Sequence, residues 1–433
     1  MARTFPPGSR YRVSRAMLPT CLVDGIDLPA DKDGLALADF DVADGRIVAI
    51  RPHSGPELGM DLDSAMVLPC FADLHTHLDK GHIWERADNP DGTHDGALMS
   101  VRADRAANWN AEDVHRRFEF SLRCAYAHGT AAIRTHIDSL APQAAISWPA
   151  FAALRDSWAG RVELQAACIV PVDLYRDADA GRELANLVAD HGGLLGGVVL
   201  TRDSIDDVLD TLFTLARERN LDIDLHMDET TDPLVRGLAQ LAEATRRHGY
   251  EGRVTAGHCC SLSAQPELEA ERTMTALAAA GVSVVGLPMC NLYLQDRGLA
   301  RTPRLRGVTA LHELRAHGVR TAIASDNTRD PFYAYGDMDM IEVLREGIRI
   351  GQLDRPIGDW PRAFTSTPAD VMDQPAIGRL KVDGPADFII CEGRRWSEVL
   401  SRPEPSRIVV RNGKPTGAQV PSFRELDDLA LPA

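Results

Sequence analysis

Met66-Val67-Leu68-Pro69-Cys70-Phe71-Ala72-Asp73-Leu74-His75-Thr76-His77 is an apolar run that ends in two histidines one residue apart. Read as a strand over 68–77, the segment alternates its side chains with period two, so His75 and His77 face the same side. Two imidazoles on one side of a strand end are half of a transition-metal site. The rest of the chain decides whether the other half exists.

Outward from this segment, short β-rich runs alternate with longer amphipathic ones as far as about residue 330. The expected strands are 68–77, 130–138, 163–171, 194–201, 222–226, 253–258, 282–288 and 321–326. Asp206–Arg219 is the clearest helix between them, with Val208, Leu209, Leu212, Phe213 and Ala216 on one stripe. Pro266–Ala280 is another, with Gly281 placed to close it. Strand and helix repeated in this way predict an α/β fold, a (β/α)8 TIM barrel with its chemistry at the strands' C-terminal ends. A doubly wound sheet would also alternate, but it would not explain ligand-type residues closing nearly every strand.

The flanks read differently. Residues 10–66 carry short strand-like runs such as Gly45–Ile50, separated by Asp/Gly/Pro-rich turns. Residues 378–415 do the same, with Asp387–Ile390 and Ser406–Arg411 followed by the hairpin pair Asn412-Gly413. Neither flank is long enough to bury a core alone. The expectation is a small β-sandwich of residues 1–66 plus 375–433 and a metal-dependent barrel over 67–374.

Composition narrows the partners. A net charge of -16 opposes a nucleic-acid or anionic-membrane partner, since both are polyanions. No run of about 18 apolar residues could span a bilayer. The stretch Met1–Pro7 lacks the apolar core of a signal peptide, so a cytoplasmic location is expected. Eight scattered cysteines without a C-x-x-C pair favour buried, reduced thiols.

The second half of the metal site is sought at the other strand ends. His226 closes Asp222-Ile223-Asp224-Leu225, His258 closes Arg253-Val254-Thr255-Ala256-Gly257, and Asp326 follows Thr321-Ala322-Ile323-Ala324-Ser325. A single strand-end histidine is more often hydrogen-bonded structure than a ligand. His75, His77, His226 and Asp326 together are hard to obtain from packing alone. Histidine with carboxylate suits Zn(II) or Fe(II), with a coordination position left for water. His115, His128, His191, His248, His312 and His317 fall in helical or loop surroundings and read as structural or solvated.

The segment Val67–Lys80 resembles the first-strand signature of the amidohydrolase superfamily. More narrowly, the chain is similar to its cytosine deaminase-like branch, the one that includes N-isopropylammelide isopropylaminohydrolase. Arg134–Asp138, His226–Glu229, Val254–His258, Asn291–Arg297, Ser325–Asn327 and Asp330-Pro331 carry the likeness along the chain. The resemblance implies that His75, His77, His226 and Asp326 bind one metal, that Glu229 shuttles protons, and that His258 lies beside the reacting carbon. Asp326 would also take a proton from the bound water, whose pKa such a site lowers towards about 7. Binuclear members bridge their metals with a carboxylated lysine on the fourth strand. This chain has no lysine between Lys80 and Lys381, so a mononuclear site is expected. Residues alone leave Glu229 open between a helix-N-terminal acid and a catalytic acid; the resemblance favours the second.

The implied activity is release of ammonia or an amine from a small nitrogen heterocycle, pyrimidine- or triazine-like, by attack of metal-bound hydroxide. Lys80 is expected at the pocket mouth, touching substrate or solvent. Two departures move the expected substrate away from cytosine. Asn327 stands where cytosine deaminase has an acid, and Asn donates as well as accepts. Val172 stands where that branch has a substrate-binding glutamine, which changes what the pocket can pair with. Trp84, Tyr175, Phe332 and Tyr333 are candidate walls for a flat ring. The alternatives are hydrolysis of a cyclic amide or imide, and an inactive metal-binding barrel. Relatives in the branch suggest a homo-oligomer.

Overall fold

The computed structural model describes residues 5–56, 59–298 and 300–430. Residues 1–4, 57, 58 and 431–433 of the expected flanking domain, and residue 299, lie outside the described residues. The chain divides into two compact units. One takes Met1–Asp73, Cys124–Ala132 and Asp339–Val420; the other takes Leu74–Arg123, Ile133–Met338 and Pro421–Ala433. This division cuts the chain elsewhere than at 66/67 and 374/375.

The second unit carries the repeating α/β pattern. Its strands are β1 (Phe71–Thr76) and β2 (Thr130–Asp138), the first three residues of each falling in the first unit, then β3 (Glu163–Ile169), β4 (Leu195–Val199), β5 (Ile223–Met227), β6 (Val254–His258), β7 (Ser283–Gly286) and β8 (Thr321–Ile323). The order β1-β2-β3 forms one sheet, and β4-β5-β6-β7-β8 forms another in which all neighbours are parallel. Single parallel bridges Ala167↔Leu194 and Pro171↔Val198 link β3 to β4. Another, Thr76↔Asp326, links the end of β1 to the turn after β8.

Each expected strand of this unit is present: 130–138 keeps its bounds, 222–226 is shifted by one residue to Ile223–Met227, and the others are shorter by a few residues. The first differs most. The expected strand 68–77 is divided at Cys70: Val67–Pro69 pairs antiparallel with Phe388–Ile390, and β1 begins only at Phe71. Proline at 69 has no N–H for a continuous ladder, which suits a break there.

Helix Asp206–Arg219 is present as expected and buries Val208, Leu209, Leu212, Phe213 and Ala216. Acids Asp206 and Asp207 in its first turn and Arg217 and Arg219 in its last complement the helix dipole. The next expected helix runs Glu267–Ala280 and is closed by Gly281 at φ +69°. Such a φ is one that glycine adopts without steric cost.

In the first unit, Arg46–Pro52, Leu35–Ala43 and Arg10–Pro19 form an antiparallel sheet that Met60–Asp61 extends in parallel. Lys414–Pro415, Ile408–Arg411, Phe388–Ile390 and Val67–Pro69 form a second, antiparallel sheet. Their apolar faces share one core that includes Val13, Leu18, Phe40, Ile47, Phe388 and Val410. Phe40 meets Phe388 edge-on with centroids 5.3 Å apart. Asn412 and Gly413 both have positive φ, as a tight hairpin turn demands. All eight cysteines are free. Among the described residues no helix is long and apolar enough to cross a membrane.

Candidate metal centre and cavity

β1 delivers His75 and His77 into the interior, and β5 delivers His226. His226 Nε2 lies 3.1 Å from His75 Nε2 and 3.2 Å from His77 Nε2. The bridge between β1 and the turn after β8 brings the fourth group. Asp326 N donates to His75 O at 2.9 Å, and Thr76 Oγ1 donates to Asp326 O at 2.8 Å. Asp326 Oδ1 is then 3.2 Å from His77 Nε2 and 3.7 Å from His75 Nε2.

Burial, and secondarily neighbouring cationic groups, hold the pKa values of His75, His77 and His226 well below the ordinary histidine value. The rings are therefore neutral, the form that ligates a metal. Lone pairs on Nε2 atoms this close to His226 Nε2 repel one another unless a positive centre lies between them. Ligands about 2.0–2.2 Å from a zinc-sized ion sit roughly 3.0–3.6 Å from each other. The donor types and their spacing suit a divalent ion.

The backbone at the strand ends is shaped for this convergence. His258 and Asp326 adopt φ +68° and +66°, left-handed values costly for residues with a Cβ and common at functional sites. Gly257, just before His258, has a second role. A Cβ there would come within 2.7 Å of His75 Cε1, so glycine makes room for the ligand ring.

Glu229 and His258 lie beside the four donors. Asn291 Nδ2 donates to His258 Nδ1 at 2.9 Å and to Glu229 Oε1 at 3.3 Å. His258 Nδ1 therefore accepts, and its proton sits on Nε2, which is buried and has no hydrogen-bond partner. Burial first, and then the charge of Asp326, raises the Glu229 pKa well above the ordinary carboxyl value. That shift favours the acid form of Glu229. Gln295 Nε2 donates to Glu229 O at 3.1 Å and fixes its backbone.

These residues open onto a cavity of about 320 Å³. Lys80 stands at its side, 3.4 Å from Asp138 Oδ1, with Arg105 on the other carboxylate oxygen at 3.2 Å. Burial alone would lower the Lys80 pKa, but Asp138, Asp79 and Asp330 outweigh it and raise it, so the side chain stays cationic. Its turn is held from behind by Arg117, whose buried guanidinium donates to Asp79 O and Gly81 O at 2.6 and 3.1 Å. Asn327 Nδ2 donates to Asp330 Oδ2 at 2.7 Å.

A model of the Amidohydrolase family matches residues 176–416. A pterin deaminase of Rhizobium rhizogenes is 52% identical over 98% of this chain and 97% of its own. The chain belongs to the amidohydrolase family. It is an amidohydrolase-superfamily deaminase acting on C–N bonds. Two solved structures share its fold. A 5-methylcytosine deaminase from Klebsiella pneumoniae, liganded with 5-fluorocytosine, has TM-score 0.80, 24% identity, and coverage of 95% of this chain and 98% of its own. An N-isopropylammelide isopropylaminohydrolase from Burkholderia multivorans has TM-score 0.73 and 23% identity, covering 94% of this chain and 98% of its own.

Within this amidohydrolase, His77, Lys80, Val172, His226, Glu229, His258 and Asn327 all line the cavity. His75 and Asp326 lie beneath it, fully buried. Of the four aromatic candidates only Phe332 is a wall residue. Tyr175 is a core residue whose hydroxyl donates to Gly196 O at 2.8 Å, and Trp84 and Tyr333 are not on the lining. Sequence reasoning missed helix His94–Asn108, which contributes His94, Leu98, Val101 and Arg102, and it missed Asn291 as the bridge between Glu229 and His258. The only sequence signal for the helix was an apolar pair, Leu98 and Val101, at a spacing of three. Asn291 lay in a segment that resembles the family but carried no assigned role.

Proposed function

We propose that this enzyme hydrolyses the exocyclic amine of a pterin, replacing the amino group with oxygen and releasing ammonia. The observation that carries the reading is the convergence of His75, His77, His226 and Asp326 beside an acid, Glu229, at the floor of one cavity. One divalent ion, Zn(II) or Fe(II), is held by those four residues. When bound, it supplies the Lewis acidity that lets water act as a nucleophile near neutral pH.

The chain's own groups do the rest. Asp326 accepts a proton from the attacking water. Glu229, favoured as an acid by burial, protonates the ring nitrogen, then takes the proton of the added hydroxyl as the carbonyl forms and passes it to the departing amine. His258 Nε2–H is free to stabilise charge developing at the attacked carbon. Lys80 meets a substrate oxygen, and Asn327 and Val172 shape the remaining contacts. The pterin assignment is supported by the 52% identical relative. It also agrees with the apolar wall of Leu98, Val101, Leu140, Val172 and Val198, which suits a fused flat ring.

The same reading includes closure of the eight strands into a (β/α)8 barrel over about 67–374, supported by the β3–β4 and β1–β8 bridges. It includes a small β-sandwich from the two chain ends, supported by the shared core of the two sheets. The test is ammonia release from pterin, cytosine and an aminotriazine by protein of measured metal content. The expected result is fastest release from pterin. Ring opening without ammonia, or no turnover of any of the three, would overturn the proposal.

A further inference from the structure

Glu229 is deeply buried, and its two oxygens face different neighbours. Oε1 accepts from Asn291 and lies 3.4 Å from His258 Nδ1. Oε2 faces His94 Nε2 at 3.8 Å. His94 opens helix His94–Asn108 and lines the same cavity, with its side chain 26% exposed against 8% for Glu229. Phe332 holds the imidazole edge-on with centroids 5.4 Å apart. On its outer side, His94 Nδ1 lies 3.9 Å from Asp95 Oδ1, whose side chain is 94% exposed. Asp95, His94 and Glu229 thus form a line from solvent to the buried carboxyl.

The reaction creates a use for that line. Water contributes its oxygen to the ring carbon, the C–N bond breaks, and the amine departs as ammonia. Ammonia leaves as ammonium near neutral pH, so each turnover consumes one proton from solvent. The proton that Asp326 took from water leaves with the ammonia, so Glu229, left as a carboxylate after protonating the ring nitrogen, must regain one proton from solvent before the next turnover.

We propose that His94 is the relay that returns Glu229 to its acid form, taking a proton at Nδ1 beside Asp95 and giving one from Nε2 to Glu229 Oε2. This rests on the reading of Glu229 as the proton shuttle. Imidazole suits the task because one nitrogen can gain a proton as the other loses one. The 3.8 Å separation is longer than a hydrogen bond, and catalytic contacts of this kind tighten once substrate is bound. The groups facing His94 are Asp95 from its own helix, Glu229 after β5, Lys80 after β1 and His258 at the end of β6. Burial lowers the His94 pKa against the pull of Asp95, so the protonated ring gives up its proton readily.

The test compares His94→Ala, His94→Gln and Glu229→Gln with the parent, using pterin with and without free imidazole. His94→Ala is expected to lower kcat roughly tenfold or more, to leave KM within about twofold, and to recover much of its kcat in added imidazole. His94→Gln, which keeps a polar wall but cannot relay, is expected to match the alanine variant. An unchanged kcat, or a raised KM with no rescue by imidazole, would overturn the relay and leave His94 a wall residue. Turnover by Glu229→Gln at the parent's rate would instead overturn the shuttle assignment on which the relay rests. An inactive Glu229→Gln beside a fully active His94→Ala would sink the relay alone.

Discussion

The floor of the cavity is made of strand ends, those of β1, β5, β6 and the turn after β8, whereas its outer wall is helix His94–Asn108 with the turns after β2, β3 and β4. The floor is polar, almost inaccessible and braced by main-chain hydrogen bonds, such as Asp326 N to His75 O. The wall is apolar in its lining, and it includes half-buried Leu98 and exposed Leu200. A strand end fixes an atom to a fraction of an ångström, which metal ligation and proton transfer require. Loops and an inserted helix can change without disturbing that floor, so the wall is where differences in the ring acted on are expected to arise.

This contrast can be broken in graded steps. The largest effect is expected at the ligands. His226→Ala removes one of the convergent imidazoles, and both bound metal by elemental analysis and ammonia release should fall at least about 10³-fold or to background. Next, Glu229→Gln should lower kcat about 10²–10⁴-fold while metal content stays at the parent's level. The pH profile carries the same information. Because the Glu229 pKa is raised and its neutral form is the working one, parent activity should hold at lower pH and fall as pH rises through that raised value. The residual activity of Glu229→Gln should lack that alkaline fall.

A smaller effect tests the support of the floor. Gly257→Ala places a Cβ about 2.7 Å from His75 Cε1, so the ring must move. Metal affinity, measured by chelator competition, should drop about 10- to 100-fold. The smallest effect is expected at the wall. Leu98→Ala should lower kcat/KM for pterin by about tenfold, mostly through KM, and leave metal affinity unchanged. If Leu98→Ala altered metal affinity as much as Gly257→Ala does, the division between floor and wall would fail.

The same division explains what the sequence made visible. His75, His77, His226, His258 and Asp326 stand out because ligand-type residues closing apolar runs are rare, and each is found where its strand ends. Strand and helix periods were legible for the same reason, since a two-sided buried strand has few acceptable substitutions. The break at Cys70 was not, because Val67–Pro69 and β1 are both fully buried and read as one apolar run. Only their different partners separate them. Helix His94–Asn108 was missed because half of it faces outward and its polar residues mask the short apolar stripe. His94 meets Glu229 across 135 positions of sequence, a juxtaposition that only the fold creates. Tyr175 was misread as a wall because an aromatic residue near a strand end packs into the core as readily as it lines a pocket.

The central claim is a single metal held by His75, His77, His226 and Asp326 that drives removal of an amine from a pterin. Its most direct test is ammonia release from pterin as metal is added back to metal-free protein. The account predicts that activity rises linearly, saturates at about one equivalent of Zn(II) or Fe(II) per chain, and yields one ammonia for each pterin consumed. Saturation at two equivalents, or pterin consumed without ammonia, would contradict it.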